Sequence, residues 1–150
     1  MPSGGHRYRP ATVRFYFDAD VLGLAKILAQ MRSDVTYPGD PGGELFKRHR
    51  GPCPITSTAI PDSEWISEVT RQGWLIITRD ANIAVNRAEI AAVRDQSARM
   101  VVLAGREAIG TWNQLEVFMT QWRRIEALLE FPGPFIYSAT RTALRAIDLA

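Results

Sequence analysis

An α/β fold with a mainly parallel central sheet wrapped on both faces follows from three features of the sequence. The segments Thr12–Phe17, Trp74–Thr78 and Arg99–Leu103 are largely continuous apolar runs of strand length, as strands covered on both sides are. Stretches of helical periodicity separate them, and strands alternating with helices imply parallel pairing through crossovers. Carboxylates follow two of the runs, Asp18 directly and Asp80 after Arg79, at the strand ends where open α/β sheets receive ligands.

The elements can be justified in order. Residues 1–11 predict a flexible extension, and 12–150 a single domain. Thr12–Phe17 is β-branched and aromatic, a buried first strand ending at Asp18. Val21, Leu22, Leu24, Ala25, Leu28 and Ala29 recur at helical spacing, predicting a helix to about Met31 with Asp20 at its N-cap side. Val35-Thr36-Tyr37 is a short strand stopped by Pro38. Residues 38–61 hold five Pro and four Gly, a long loop with a single helical turn expected around Glu44–Arg48. Asp62 reads as the N-cap of a helix that buries Trp65, Ile66 and Val69 and ends at Gly73. Trp74–Thr78 is a strand, Ile83–Gln96 a helix, and Arg99–Leu103 a third buried strand. Thr111–Glu130 carries Trp112, Leu115, Phe118, Met119, Trp122, Ile125 and Leu129 at helical spacing and predicts one long helix whose aromatics are core or dimer contacts. Strand pairing is expected for the tail, Phe135–Leu149.

Composition narrows the chemistry. With 150 residues, 46% of them hydrophobic and 23% charged, the chain suits one core. Cys53 is the sole cysteine, so neither an internal disulfide nor a thiolate metal site is available, and two histidines (His6, His49) argue against a histidine-rich zinc site. No apolar run nears the roughly 20 residues that span a bilayer. Met1–Pro10 lacks the apolar stretch of a secretory signal, so a cytoplasmic location is expected. Net charge is only +2, and sixteen Arg against two Lys is the bias a GC-rich genome produces; position matters more than the total.

Three carboxylate clusters therefore carry the functional expectation: Asp18 with Asp20, Asp62 with Glu64, and Asp80. Converging carboxylates repel one another unless a cation lies between them. Oxygen-only donors suit Mg2+ (or Mn2+), which is held by one or two carboxylates plus waters and a substrate phosphate. Asp18, Asp62 and Asp80 are the candidate catalytic and metal-binding residues, with Asp20 and Glu64 as further metal-site groups. Arg79 could hold a phosphate oxygen and Asn82 could orient a water. Lys47, Arg48 and Arg50 in the long loop are candidates for gripping a nucleic-acid backbone. Each acid also has a structural role open to it: Asp20, Asp62 and Glu64 as helix caps, Asp80 as a helix start.

Phe17-Asp18-Ala19-Asp20, Asp62-Ser63-Glu64-Trp65-Ile66 and Gly73-Trp74-Leu75-Ile76-Ile77-Thr78-Arg79-Asp80, taken in sequence, resemble the PIN-like domains, in particular small ribonucleases related to the VapC-type toxins. The resemblance spans roughly residues 12–104. It implies a three-layer α/β/α sandwich and a magnesium-dependent endoribonuclease, with the acidic set at Asp18, Asp62 and Asp80. A fourth carboxylate often lies two residues after the third, where this chain has Asn82. For the toxins the resemblance further implies an RNA substrate, homodimers and a cognate antitoxin in a type II toxin–antitoxin system. Two rivals stand beside it. Phe15–Val21 also fits the first motif of haloacid-dehalogenase-like phosphatases, with Asp18 as nucleophile and Asp20 as general acid, but no lysine lies beyond Lys47. A PIN-like module with an impaired site, binding RNA or protein, is the other, and Asn82 is its support.

Overall fold

The computed structural model describes residues 8–80 and 83–150. Nine strands and five α-helices alternate along the described chain: β1 (Arg9–Pro10), β2 (Phe15–Phe17), α1 (Leu22–Leu28), β3 (Val35–Thr36), β4 (Gly43–Leu45), β5 (Arg48–Arg50), α2 (Asp62–Arg71), β6 (Leu75–Arg79), α3 (Arg87–Gln96), β7 (Arg99–Leu103), α4 (Thr111–Thr120), α5 (Trp122–Ala127), β8 (Phe135–Ala139) and β9 (Leu144–Ala146). A six-stranded sheet runs β3-β2-β6-β7-β8-β9, parallel except for the antiparallel β8–β9 hairpin that ends the chain.

Two-residue alternation in these buried strands divides the core into two layers. Phe15, Phe17, Leu75, Ile77, Val101 and Leu103 face α1, α4 and α5 through Leu24, Leu28, Val117, Phe118 and Ile125. Tyr16, Ile76, Met100, Val102 and Ile136 face α2 and α3 through Trp65, Ile66, Val69, Ile90 and Val93. The architecture is the α/β/α sandwich, and the apolar runs are continuous because both faces of each strand are covered. Among the described residues no helix is long and apolar enough to cross a membrane.

Several expected boundaries move for identifiable reasons. The long helix expected over 111–130 is divided: α4 ends at Thr120, Gln121 departs from helical geometry at φ −97° and ψ 5°, and α5 starts anew. Gln121 is buried, and its Nε2 donates to the Thr140 carbonyl at 2.9 Å, tying the bend to the turn of the terminal hairpin. Of the aromatics on that segment Phe118 is buried and Trp122 half-buried, whereas Trp112 is 79% exposed. At α2 the N-cap is Pro61, whose carbonyl accepts from Glu64 and Trp65, so Asp62 is the first helical residue and not the cap. Gly73 does close that helix, with φ at +81°.

The 38–61 segment holds no helical turn at Glu44–Arg48. It forms the β4–β5 hairpin, reversed by Phe46 and Lys47 at φ 50° and 61°, and β1 adds to it in parallel as a third strand. Within the stretch expected as a flexible extension, residues 1–7 lie outside the described residues; the Arg9 and Ala11 amides donate hydrogen bonds to the Lys47 and His49 carbonyls. Arg50, expected to grip a nucleic-acid backbone, is instead buried. Its Nε and Nη2 donate to Asp40 at 2.8 and 3.0 Å, with the two side chains 8% and 0% exposed. A charge this deep needs a partner, and Asp40, at the root of the hairpin, supplies it.

Candidate functional site

The α2–α3 side of the sheet collects the carboxylates at the strand ends. Asp18 follows β2 and caps a 3-10 turn at Ala19–Val21, its Oδ1 accepting the Ala19 N–H at 2.7 Å. On neighbouring β6, Thr78 points the same way as Tyr16 and Ile76, and its hydroxyl lies 3.0 Å from both Asp20 oxygens and 3.4 Å from Asp18 Oδ2. One hydroxyl carries one proton, so the shorter contacts assign it to Asp20. The Arg79 amide donates to the same carboxylate at 3.2 Å.

Asp62 is held by the aromatic layer beneath it. Trp65 Nε1 donates to Asp62 Oδ1 at 2.9 Å, and the buried Trp65 ring packs on Tyr16 with centroids 5.3 Å apart. Burial and then Asp18, with Cys53, Asp20 and Asp62, hold the Tyr16 hydroxyl protonated. Asp80, just past β6, meets α3 through Asn86, whose Nδ2 donates to Asp80 Oδ2 and to Glu89 Oε2, each at 3.0 Å. Asn86 is also the N-cap of α3, its Oδ1 accepting the Glu89 amide at 3.2 Å. The first turns of α2 and α3, where the backbone N–H groups favour negative charge, thus each deliver a carboxylate to the crevice.

The electrostatics show that these groups feel one another. Burial, and after it Asp62, raises Asp18 above the ordinary carboxylate range. The Asp20 residue sits at the exposed rim, yet desolvation of its carboxyl, then Asp18, pushes it to about 6. Glu89 is pushed to about 7 by burial, then by Asp80, Asp20, Asp62 and Asp18. Asp20 and Glu89 are both shifted upward, so their contribution to stability is present below the unfolded-state values near 4 and is lost as pH rises through 6 and 7. In EDTA the melting temperature should therefore fall between pH 5 and pH 8. Glu89→Gln should flatten that fall while keeping the Asn86 contacts; an unchanged profile in thermal melts would remove Glu89 from the coupled group.

Glu89 was absent from the expected site. Its signal was in the sequence: Asn86-Arg-Ala-Glu89 has capping-box spacing, which starts the helix at 87 and places Glu89 in its first turn. The expected start at Ile83 is occupied by a 3-10 turn, Ile83–Val85. Asn82 lies outside the described residues. Glu64 is exposed in the first turn of α2, and its side chain makes no hydrogen bond or ion pair among the described residues. Arg79 leaves the sheet on the opposite face from Thr78, and its Nε donates to the Ala108 carbonyl at 2.9 Å. Lys47 and Arg48 are exposed on the hairpin, away from the carboxylates. The base of that hairpin, Arg50 and Gly51, shares a cleft with Val13 and Trp74, which precede β2 and β6, at the other edge of the sheet.

A family model described as a PIN like domain matches residues 14–105, more than half of the chain. The chain belongs to the PIN-like domain family. No curated protein and no solved structure matches it. Membership makes the protein a nuclease-type module, of a kind that generally hydrolyses phosphodiesters and typically uses divalent metal ions. The span matched to the PIN-like domain contains Asp18, Asp20, Asp62, Asp80 and Glu89. Among the described residues no three His, Cys, Asp or Glu side chains of this PIN-like domain are grouped closely enough to hold a metal ion between them. An open, oxygen-only donor set still suits Mg2+, because that ion keeps several waters and takes only one or two carboxylates from the protein.

Proposed function

We propose that this PIN-like domain is a magnesium-dependent endoribonuclease. The observation that carries the proposal is the delivery of carboxylates from four elements, the ends of β2 and β6 and the starts of α2 and α3, to one edge of the sheet. Asp18, Asp62 and Asp80 would surround the cation, one or two of them as direct ligands and the rest through its waters, and Glu89 would supply the charge that the Asn82 position lacks. Bound there, Mg2+ would lower the pKa of a coordinated water and neutralise charge developing on the phosphate. The chain's own residues would do the rest. Thr78 fixes Asp20, Trp65 fixes Asp62, and Asn86 joins Asp80 to Glu89, so the acids are positioned before substrate arrives. Arg79 could reach a phosphate only with its terminal nitrogens, since Nε is tethered.

The test is cleavage of an end-labelled, unstructured RNA by the purified chain, with Mg2+ and with EDTA. Cuts at internal positions that need Mg2+ are expected; intact RNA in both samples would count against a nuclease. Metal binding has its own readout. At pH 8, where Glu89 and Asp20 are ionised, Mg2+ should raise the melting temperature by at least about 3 °C, the shift that about 1 kcal/mol produces in a domain of this size. At pH 5 the rise should shrink, because protons then compete for the same oxygens.

We further propose that the chain acts as the toxin of a type II toxin–antitoxin pair in the cytoplasm, working as a homodimer and neutralised by a cognate antitoxin. An exposed apolar stripe on α1 and α4, Ile27, Trp112 and Met119 with Met31 beside them, is the surface that favours a self-associating chain. Light scattering of the purified protein tests the dimer. A small DNA-binding-type reading frame directly adjacent in the genome, whose product suppresses toxicity, tests the pairing.

A further inference from the structure

The three-stranded sheet β1-β5-β4 carries a feature of opposite sign to the acidic crevice. Arg9 and Arg48 are directly paired across the parallel strands β1 and β5, and Leu45 pairs with Arg48 from the other side. Paired residues leave a sheet on the same face, so the two arginine side chains rise from the same face, from backbones one strand spacing of about 5 Å apart. Both residues are exposed, and neither side chain has a hydrogen-bond or ion-pair partner among the described residues. Like charges in directly opposed positions oppose strand pairing. The hairpin's one carboxylate does not relieve them: Glu44 is on the other face, where its Oε1 lies 3.1 Å from His49 Nδ1. Residues 1–7 contain no acid either, but His6 and Arg7.

Lys47 extends the positive charge to the tip of the hairpin, and Phe46 beside it is 76% exposed. Among the described residues that ring stays largely in solvent, on a turn that also carries Lys47 and adjoins Arg48. The platform beneath is fixed, because Asp40 at its root binds Arg50, the Thr36 hydroxyl at 2.8 Å and the Gly42 amide at 2.9 Å.

We propose that this sheet is a grip for single-stranded RNA, separate from the acidic crevice, in which Arg9 and Arg48 each hold a backbone phosphate and Phe46 stacks on a base. The choice of RNA rests on the ribonuclease reading above. Paired guanidinium groups match phosphate oxygens in bidentate geometry, and stacking on an exposed ring requires unpaired bases. Since the hairpin is rooted at the strand starts and the carboxylates lie at the strand ends, the grip acts as a tether away from the point of cleavage.

Binding of a fluorescein-labelled 12-residue oligouridylate in EDTA, followed by polarisation across a salt series, tests the grip without cleavage. Arg9→Ala with Arg48→Ala should weaken binding about tenfold or more at low salt. It should also reduce the slope of log K against log salt by about 1.4, two phosphate contacts at roughly 0.7 each. Phe46→Ala should weaken binding about tenfold and leave the slope alone. Arg48→Glu should lose binding while the melting temperature holds or rises, since glutamate beside Arg9 makes a favourable cross-strand pair. Unchanged affinity and slope in the double variant would overturn the grip, as would binding lost only together with stability in Arg48→Glu. If the wild type binds through these arginines yet leaves RNA uncut with Mg2+, the crevice assignment fails and the grip stands. If it cuts RNA while the double variant binds normally, the grip fails and the nuclease stands.

Discussion

Asp18→Asn is expected to reduce Mg2+-dependent RNA cleavage at least a hundredfold, in the range seen when a preorganised charge-stabilising group is removed. Asparagine keeps the shape and an oxygen that can accept the Ala19 N–H, so the turn after β2 should survive. It removes the charge that raises Asp20 and contributes to the rise of Glu89. With less repulsion in the crevice, the metal-free variant should melt at the same temperature as the wild type or higher, and respond less to Mg2+. Loss of cleavage with intact folding assigns Asp18 to the chemistry. Equal cleavage by variant and wild type would sink the acidic site, and a collapsed melting temperature would show that Asp18 serves the fold instead. Expressed in bacteria, the wild type should arrest growth and the Asp18→Asn strain should not; equal growth would weigh against a toxin.

Arg50→Ala should be the most destabilising single change at the hairpin, costing about 3–5 kcal/mol. Asp40 is fully buried, and among the described residues its carboxylate is neutralised by the Arg50 guanidinium alone; the Thr36 hydroxyl and the Gly42 amide satisfy lone pairs but bring no charge. Truncation would leave that charge unpaired in the interior. At about 2–4 °C per kcal/mol for a chain of this length, the melting temperature should drop by about 6–20 °C. Arg50→Lys should recover part of the loss, because an ammonium restores the charge but not the bidentate contact. A change of less than about 1 kcal/mol in either direction would mean that water or the loop itself satisfies Asp40.

Much of this molecule was legible from local pattern. The apolar runs ending at Phe17, Thr78 and Leu103 became parallel strands, the second and third within a residue of their expected limits and the first starting at Phe15, three residues later than expected, since a strand buried on both faces must be apolar throughout. Gly73 marked a helix end because a left-handed residue was needed there. The 43–50 hairpin was missed because its turn uses Phe46 and Lys47, not glycine, at positive φ, and because Pro and Gly around it look like a loop. The division of the 111–130 helix was equally invisible: its apolar spacing is continuous through Gln121, and the partner that bends it, the Thr140 carbonyl, is distant in sequence.

Sequence alone determined the layering and the presence of acids after strands, because burial periodicity and strand termini are properties of neighbouring residues. Only the tertiary structure decided which charged groups share a crevice. Strand order sets Asp18 beside Thr78, the starts of α2 and α3 bring Asp62 and Glu89 towards them, and the same packing takes Arg50 inside to Asp40 while leaving Arg9 and Arg48 on the surface. Coulombic coupling depends on distance in space, and no spacing along the chain encodes that distance.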